Sequence, residues 1–221
     1  MNQEDLAAWE LHFAAFLAQH TADADAAHDL EHIHRVVAAA RRLAASEGAD
    51  LAVVIPAAWL HDCVSVPKDS PLRAKASAMA AASATSYLAA AGYPAQYLAA
   101  IDHAIAAHSF TAAIPPRSLE AMVVQDADRL DALGAVGLAR CLALGGALGR
   151  PLYDPAEPFP MRRAPDDARS SIDHFFTKLL KLAATMTTAA GRAEAERRTA
   201  FMRAFLSQLA DELGVAAPVL S

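Results

Sequence analysis

The 221-residue chain has little cysteine, little glycine and no surplus of positive charge. Its two cysteines, Cys63 and Cys141, lie far apart and show no paired spacing, so a disulfide framework is not expected and a reducing compartment is. Cys63 reads as a small buried hydrophobe. A formal net charge of −6 argues against a surface that coats nucleic acid, because phosphate binding needs clustered Lys and Arg. No apolar run reaches the roughly 20 residues that span a bilayer. The N-terminal stretch MNQEDLAAWE lacks both a basic and an apolar segment, so no signal peptide is expected. These absences point to a cytoplasmic protein with neither nucleic acid nor membrane as its partner.

What the chain does have is alanine, the best helix former, within a hydrophobic content of 55%. An all-α bundle follows as the expected fold, a single domain over residues 1–221 with no significant β-sheet and enough length to bury a core unaided. Periodicity places helices at about 4–19, 28–47, 51–63, 72–91, 94–108, 119–130, 133–148, 171–188 and 193–213. Gly48 and Gly92 suit left-handed helix ends, and Asp50 suits a cap. Pro56 is expected to bend the third helix or delay its start. Pro115-Pro116 forbids helix, and Gly149–Asp167, with five prolines, reads as a loop that could serve as a lid. The Ala-rich helical faces leave a homodimer open.

The histidines and aspartates are not evenly spread. His28-Asp29-Leu30-Glu31-His32-Ile33-His34-Arg35 opens the second helix, His61-Asp62 ends the third, and Asp126-Ala127-Asp128-Arg129-Leu130-Asp131 lies on the sixth. A helical bundle builds metal sites from imidazoles and carboxylates on facing helices. Histidine with aspartate, and no thiolate, suits one divalent ion such as Mn, Mg, Co, Ni, Fe or Zn with water positions left open. Such an ion activates a bound water and neutralises phosphate charge, so attack of that water on a phosphoester or phosphoanhydride is the natural chemistry. Singly, a helical histidine is more often the partner of a carbonyl than a ligand. What raises His61-Asp62 above that is the apolar run Val53–Leu60 before it, since a polar pair at the buried end of such a helix needs a compensating partner.

The ordered segments HDLEHIHRV, AAWLHDC, AIAAHSF, QDADRLDALGAVGLAR and FFTKLLKL resemble the HD superfamily of metal-dependent phosphohydrolases, in a bacterial branch without a regulatory domain. The resemblance runs from about residue 20 to 213, with a metal-binding core at about 24–140 and helices at 170–213 packing on it. It implies that His32, His61, Asp62 and Asp128 hold the metal. His28 and Asp29 match a preceding step that orients a ligand or a water. Asp62, Asp29 and His108 become the catalytic candidates, and Arg35, Lys75, Asp131 and Lys178 the candidates for phosphate or substrate contact, with Lys181 behind them. Asp126 is turned away from Asp128 on an ideal helix, and His103 reads as structural.

One departure matters. Mononuclear nucleotidases of the superfamily place a carboxylate three residues after the HD pair, and here Ser65 stands there. Asp69, Asp29 or His108 would have to serve as general base instead. An additional His-His step of the two-metal branch is lacking, which favours one ion. The activity implied is hydrolysis of a small phosphorylated molecule, a nucleotide: nucleoside triphosphate pyrophosphohydrolysis, with nucleotide monophosphatase and alarmone hydrolase as rivals. A nucleotide-binding sensor that keeps the metal without turnover is the alternative from another class.

Overall fold

The structure, a computed structural model, describes residues 2–20, 30–67 and 70–218, and contains helices but no strand among them. His28, Asp29 and Asp69, and the expected start of the second helix, lie outside the described residues. The chain divides into two compact units, Met1–Asp128 and Arg129–Ser221.

In the first unit α1 (Gln3–His20) begins with a reciprocal cap, in which Asn2 Oδ1 accepts from Asp5 N at 2.8 Å and Asp5 Oδ2 accepts from Asn2 N at 3.2 Å. α2 (Leu30–Glu47) buries Ile33, Val36, Val37, Ala40 and Leu43 along one stripe. α3 (Leu51–Leu60) is capped by Asp50, whose side chain accepts from Ala52 N at 2.8 Å. Every residue of α3 from Ala52 to Leu60 is buried, so it has no solvent face and forms the centre of the unit. α2, α5 and α1 pack around it. A short 3-10 turn (Arg73–Lys75) leads into α4 (Ala76–Ala91), which pairs with α5 (Ala95–His108) across a turn where Gly92 takes φ +86°. α4 thus starts about a turn later than periodicity predicts, the first residues being drawn off by Arg73, which donates to Val66 O at 2.9 Å. α6 (Leu119–Leu130) opens with Ser118 Oγ accepting from Ala121 N at 3.2 Å.

Pro56 neither delays the start of α3 nor ends it. A proline removes the N–H that would have bonded the carbonyl four residues back, here that of Ala52. The Tyr93 hydroxyl, from the α4–α5 turn, donates to that carbonyl at 2.6 Å. Burial pushes the Tyr93 pKa up, so the hydroxyl keeps its proton. Its ring packs edge-on against Trp9 of α1 at 4.9 Å between centroids, so three segments meet at the proline.

The second unit holds α7 (Gly134–Ala147), α8 (Asp173–Thr177), a 3-10 segment (Leu179–Thr185) and α9 (Ala189–Leu213). α7 and the 3-10 segment pack on α9. The single helix expected over 171–188 is therefore two pieces, broken at Lys178 with φ −134° and ψ −59°. The reason is polar and non-local. Asp167 takes hydrogen bonds from Thr177 and from His174 Nδ1, the latter at 2.7 Å, and ties the last turn of α8 to the loop before it. α9 begins about a turn earlier than expected because Thr188 caps it, accepting from Gly191 N at 3.0 Å. At Gly145 of α7 a Cβ would collide with Ser171 Oγ, so that close approach requires glycine.

The loop 149–167 carries no helix and is held by charge. Arg163 forms a two-pronged pair with Asp173, whose side chain is wholly buried, and Arg169 pairs with Asp154. Burial would raise the pKa of Asp173; hydrogen bonds from Arg163, from Asp166 N and from Ser170 outweigh it and hold the carboxyl below its ordinary value. A group depressed in this way stabilises the fold above its unfolded pKa and loses that contribution as pH falls through its folded value. Glu194, held down to about 2 first by Arg197 and then by Arg198, acts in the same sense, though from a more exposed position.

Tyr93→Phe strands a buried carbonyl and is expected to cost about 1–3 kcal/mol in chemical denaturation. In a Pro56→Ala background, where residue 56 regains its N–H, the same change costs clearly less. Unfolding free energy measured against pH is expected to decline below about pH 4, the unfolded carboxylate value. Arg163→Met, which leaves Asp173 buried and unpaired, lowers stability at neutral pH by about 3 kcal/mol and flattens that acid limb.

Candidate metal centre

The sequence pairs come together at the C-terminal end of α3. That end is apolar almost to its last residue, so His61 is carried into the core and is wholly buried, while Asp62, next along, is half-buried. His32 comes from the buried stripe of α2, His108 from the last turn of α5, and Asp128 from α6. His32 Nε2 stands 3.3 Å from His61 Nε2 and 3.5 Å from Asp128 Oδ1. His61 Nε2 is 3.7 Å from Asp128 Oδ1 and also from Asp62 Oδ2. The other oxygen of Asp62, Oδ1, lies 3.5 Å from His108 Nε2.

Two of the imidazoles are oriented by their own helices. His61 Nδ1 donates to Ala58 O at 2.8 Å and His108 Nδ1 to Ile105 O at 2.6 Å. Each bond spends the proton of the neutral ring on a backbone carbonyl and leaves Nε2 as a lone-pair donor aimed into the cluster. Burial drives the His61 pKa down; Asp62 and Asp128 oppose the shift, His108 and His32 add to it, and the ring stays neutral. At His108 burial also acts downward, but the hydrogen bond and charge of Asp62, with help from Asp128, outweigh it and raise the pKa.

The donor set fits a divalent ion. His32, His61 and Asp128 offer one atom each within 4.8 Å of one another, and so do His61, Asp62 and His108. Ligands held about 2.0–2.2 Å from one ion sit about 3–3.5 Å from each other, close to the spacings found here. Two imidazole nitrogens facing one another in a buried place, with carboxylates on either side, is an arrangement that a cation stabilises. The two groups share His61, whose one free nitrogen could serve only one ion at a time. Histidines form the floor and the half-buried carboxylates of Asp62 and Asp128 the accessible edge.

The remaining candidates take varied places. Arg35 is half-buried on α2, one turn after His32. Lys75 is exposed at the end of the 3-10 turn, and Ser65 is exposed in the segment after the HD pair. In the second unit Asp131 is buried and accepts a hydrogen bond from Arg140, while Lys178 and Lys181 are exposed. His103 accepts from Arg117 N at 2.9 Å and so anchors the Pro115-Pro116 loop. Asp126 is buried. Both cysteines are free thiols whose pKa burial pushes up to about 11. Sequence reasoning passed over Gln125, which is buried and donates to Ala107 O at 2.7 Å; its place one turn before Asp128 was the available signal. It also passed over Arg140 and Arg163, because a pairing across nine or ten residues that include a turn or a loop leaves no periodic trace.

Residues 29–133 match the HD domain. The Bacillus subtilis protein YpgQ is 35% identical over 195 residues, covering 86% of this chain and 87% of the relative. An HD-superfamily hydrolase from Bacillus thuringiensis superposes with a TM-score of 0.70 at 32% identity, over 94% of this chain and 99% of that one. A crystal structure of B. subtilis YpgQ in complex with ADP also gives a TM-score of 0.70, at 33% identity over 92% and 93% of the two chains. With similarity of this extent, and with His32, His61, Asp62 and Asp128 gathered in one place, the chain belongs to the HD-domain superfamily.

Proposed function

We propose that this protein is a metal-dependent phosphohydrolase whose substrate is a small phosphorylated molecule, a nucleotide. The observation that carries this reading is the convergence of three imidazole Nε2 atoms and two carboxylates at the end of α3. The nucleotide is supported by the ADP complex of YpgQ, a relative of similar length.

His32, His61, Asp62 and Asp128 would hold one divalent ion. Such an ion, when bound, lowers the pKa of water and offsets charge on a phosphoryl group. Asp62 divides its carboxylate, one oxygen toward His61 and the other toward His108, and so joins the ion's ligands to a titratable group. His108 Nε2 is placed to take a proton from water and to share it with Asp62, which makes His108 the general base in place of the carboxylate that Ser65 lacks. Asp29 is proposed as a residue that orients His32 or the water. Arg35, one turn from His32, offers a guanidinium to phosphate oxygens. Lys75, Lys178 and Asp131 are proposed as substrate contacts on their motif positions alone. Hydrolysis of a nucleoside triphosphate to release pyrophosphate and removal of phosphate from a nucleotide both fit this chemistry.

Exposed Ser65 keeps a second reading in play, a metal-containing nucleotide sensor without turnover. A screen for phosphate and pyrophosphate release across nucleotides with Mn, Mg, Co and Ni separates the two. Turnover of one nucleotide family is expected, abolished by chelation and restored by the metal. Asp62→Ala is expected to lower kcat at least about 100-fold, since loss of even an outer partner of a metal site costs 10–100-fold. Stoichiometric metal binding with no turnover of any nucleotide would favour the sensor.

A further inference from the structure

The last turn of α5 has a weakness built into it. The final carbonyls of a helix have no intrahelical donor, and the chain leaves α5 immediately after His108, with Ser109 already extended at φ −72° and ψ 129°. Residues 109–118 that follow carry no helix. His108 therefore sits where helices fray, yet its Nε2 lies 3.5 Å from Asp62 Oδ1. Its own Nδ1 takes the carbonyl of Ile105. The carbonyl of Ala107 is buried and lies beyond the reach of the helix ladder.

Gln125 supplies that carbonyl, through Nε2 at 2.7 Å. Gln125 is itself buried and lies on α6 one turn before Asp128, so the two side chains share a side of the helix. An amide with a single backbone partner is a costly filling for an apolar position, where leucine or methionine would pack without losing hydration. What it adds is a directional link from α6, which carries Asp128, to the peptide unit next to His108.

From this geometry we infer that Gln125 is a positioning residue, which clamps the end of α5 so that the His108 imidazole stays aimed at Asp62. The inference rests on the proposed phosphohydrolase reading for its effect on rate, but not for its effect on His108 itself. Displacing a catalytic group by about an ångström costs on the order of 100-fold in rate while leaving substrate binding largely intact.

The test is Gln125→Met, which keeps length and volume and removes the donor, compared with Ile101→Val as a core control on α5, the helix that carries His108. Three readouts are needed: kcat and KM on the nucleotide identified in the screen with Mn, the Mn affinity by titration, and side-chain imidazole 15N–1H spectra of the full chain. Gln125→Met is expected to lower kcat about 10–100-fold, with KM and Mn affinity within about threefold of the parent. The His108 ring resonances shift while those of His103 stay. Ile101→Val leaves kcat and the His108 resonances unchanged. A Gln125→Met protein with parental kcat, or with an unmoved His108 spectrum, overturns the inference. If the parent turns over no nucleotide, the functional reading fails and the His108 spectrum alone decides the role of Gln125. Should Gln125→Met not fold, Gln125→Asn, which keeps the amide one methylene short of the carbonyl, is expected to give the same spectral shift, and its absence overturns the inference equally.

Discussion

The hydrogen bond from His61 Nδ1 to the carbonyl of Ala58 governs the rest of the site. It satisfies a carbonyl in the last turn of a fully buried helix, where water cannot. It also fixes the tautomer, so that the one free nitrogen of a wholly buried ring points at His32, Asp62 and Asp128. His108 repeats the device on α5 with the carbonyl of Ile105. In both cases a structural debt of the helix terminus and the orientation of a functional ring are settled by the same bond. The dual role explains why histidines that look like ordinary core partners of a carbonyl can also be donors to an ion, since the two uses engage opposite nitrogens.

Much of this was legible because it is local. The His61-Asp62 pair after an apolar run, the caps at Asp50 and Gly92, and the proline-rich loop each express chemistry within a few residues of themselves. The placement of His32, His61, Asp62, His108 and Asp128 together was reached through the ordered motifs rather than through periodicity, which assigns helices but not which helix ends meet. What escaped is long-range and polar. The broken 171–188 helix depends on Asp167 gripping Thr177 and His174. The uninterrupted course of α3 past Pro56 depends on a tyrosine hydroxyl 37 residues beyond the proline in the chain. Gln125 escaped because a glutamine on a helix is ordinarily a surface residue; its place one turn before Asp128 was a hint, but its burial against Ala107 is what distinguishes it.

The two units solve the burial of charge differently. In the first, the imidazoles of His32, His61 and His108 are gathered in one cluster, with the His61 ring kept neutral by desolvation and carboxylates at the accessible edge. In the second, acids are paired with basic side chains, chiefly arginines: Asp131 with Arg140, Asp154 with Arg169, Asp173 with Arg163, and Glu194 with both Arg197 and Arg198. The second arrangement leaves each charge compensated within the protein and is suited to holding irregular chain in one conformation. The first brings two carboxylates and three imidazoles together, a composition suited to receiving a cation.

The bond between Tyr93 and the Ala52 carbonyl also bears on the order in which the chain assembles. α3 has no polar face to shelter it in water and lacks one of its own backbone bonds, so on its own it is a poor helix and an aggregation-prone strip. Its last acceptor is filled only when the α4–α5 turn has docked, which makes its formation a cooperative event shared by three segments. Backbone amides of α3 would then exchange with solvent only through opening of the whole unit, whereas the helix ends around it can fray independently. The candidate metal centre begins at His61, one residue past the end of this helix, so the groups that could hold an ion are tied to the part of the first unit expected to open last.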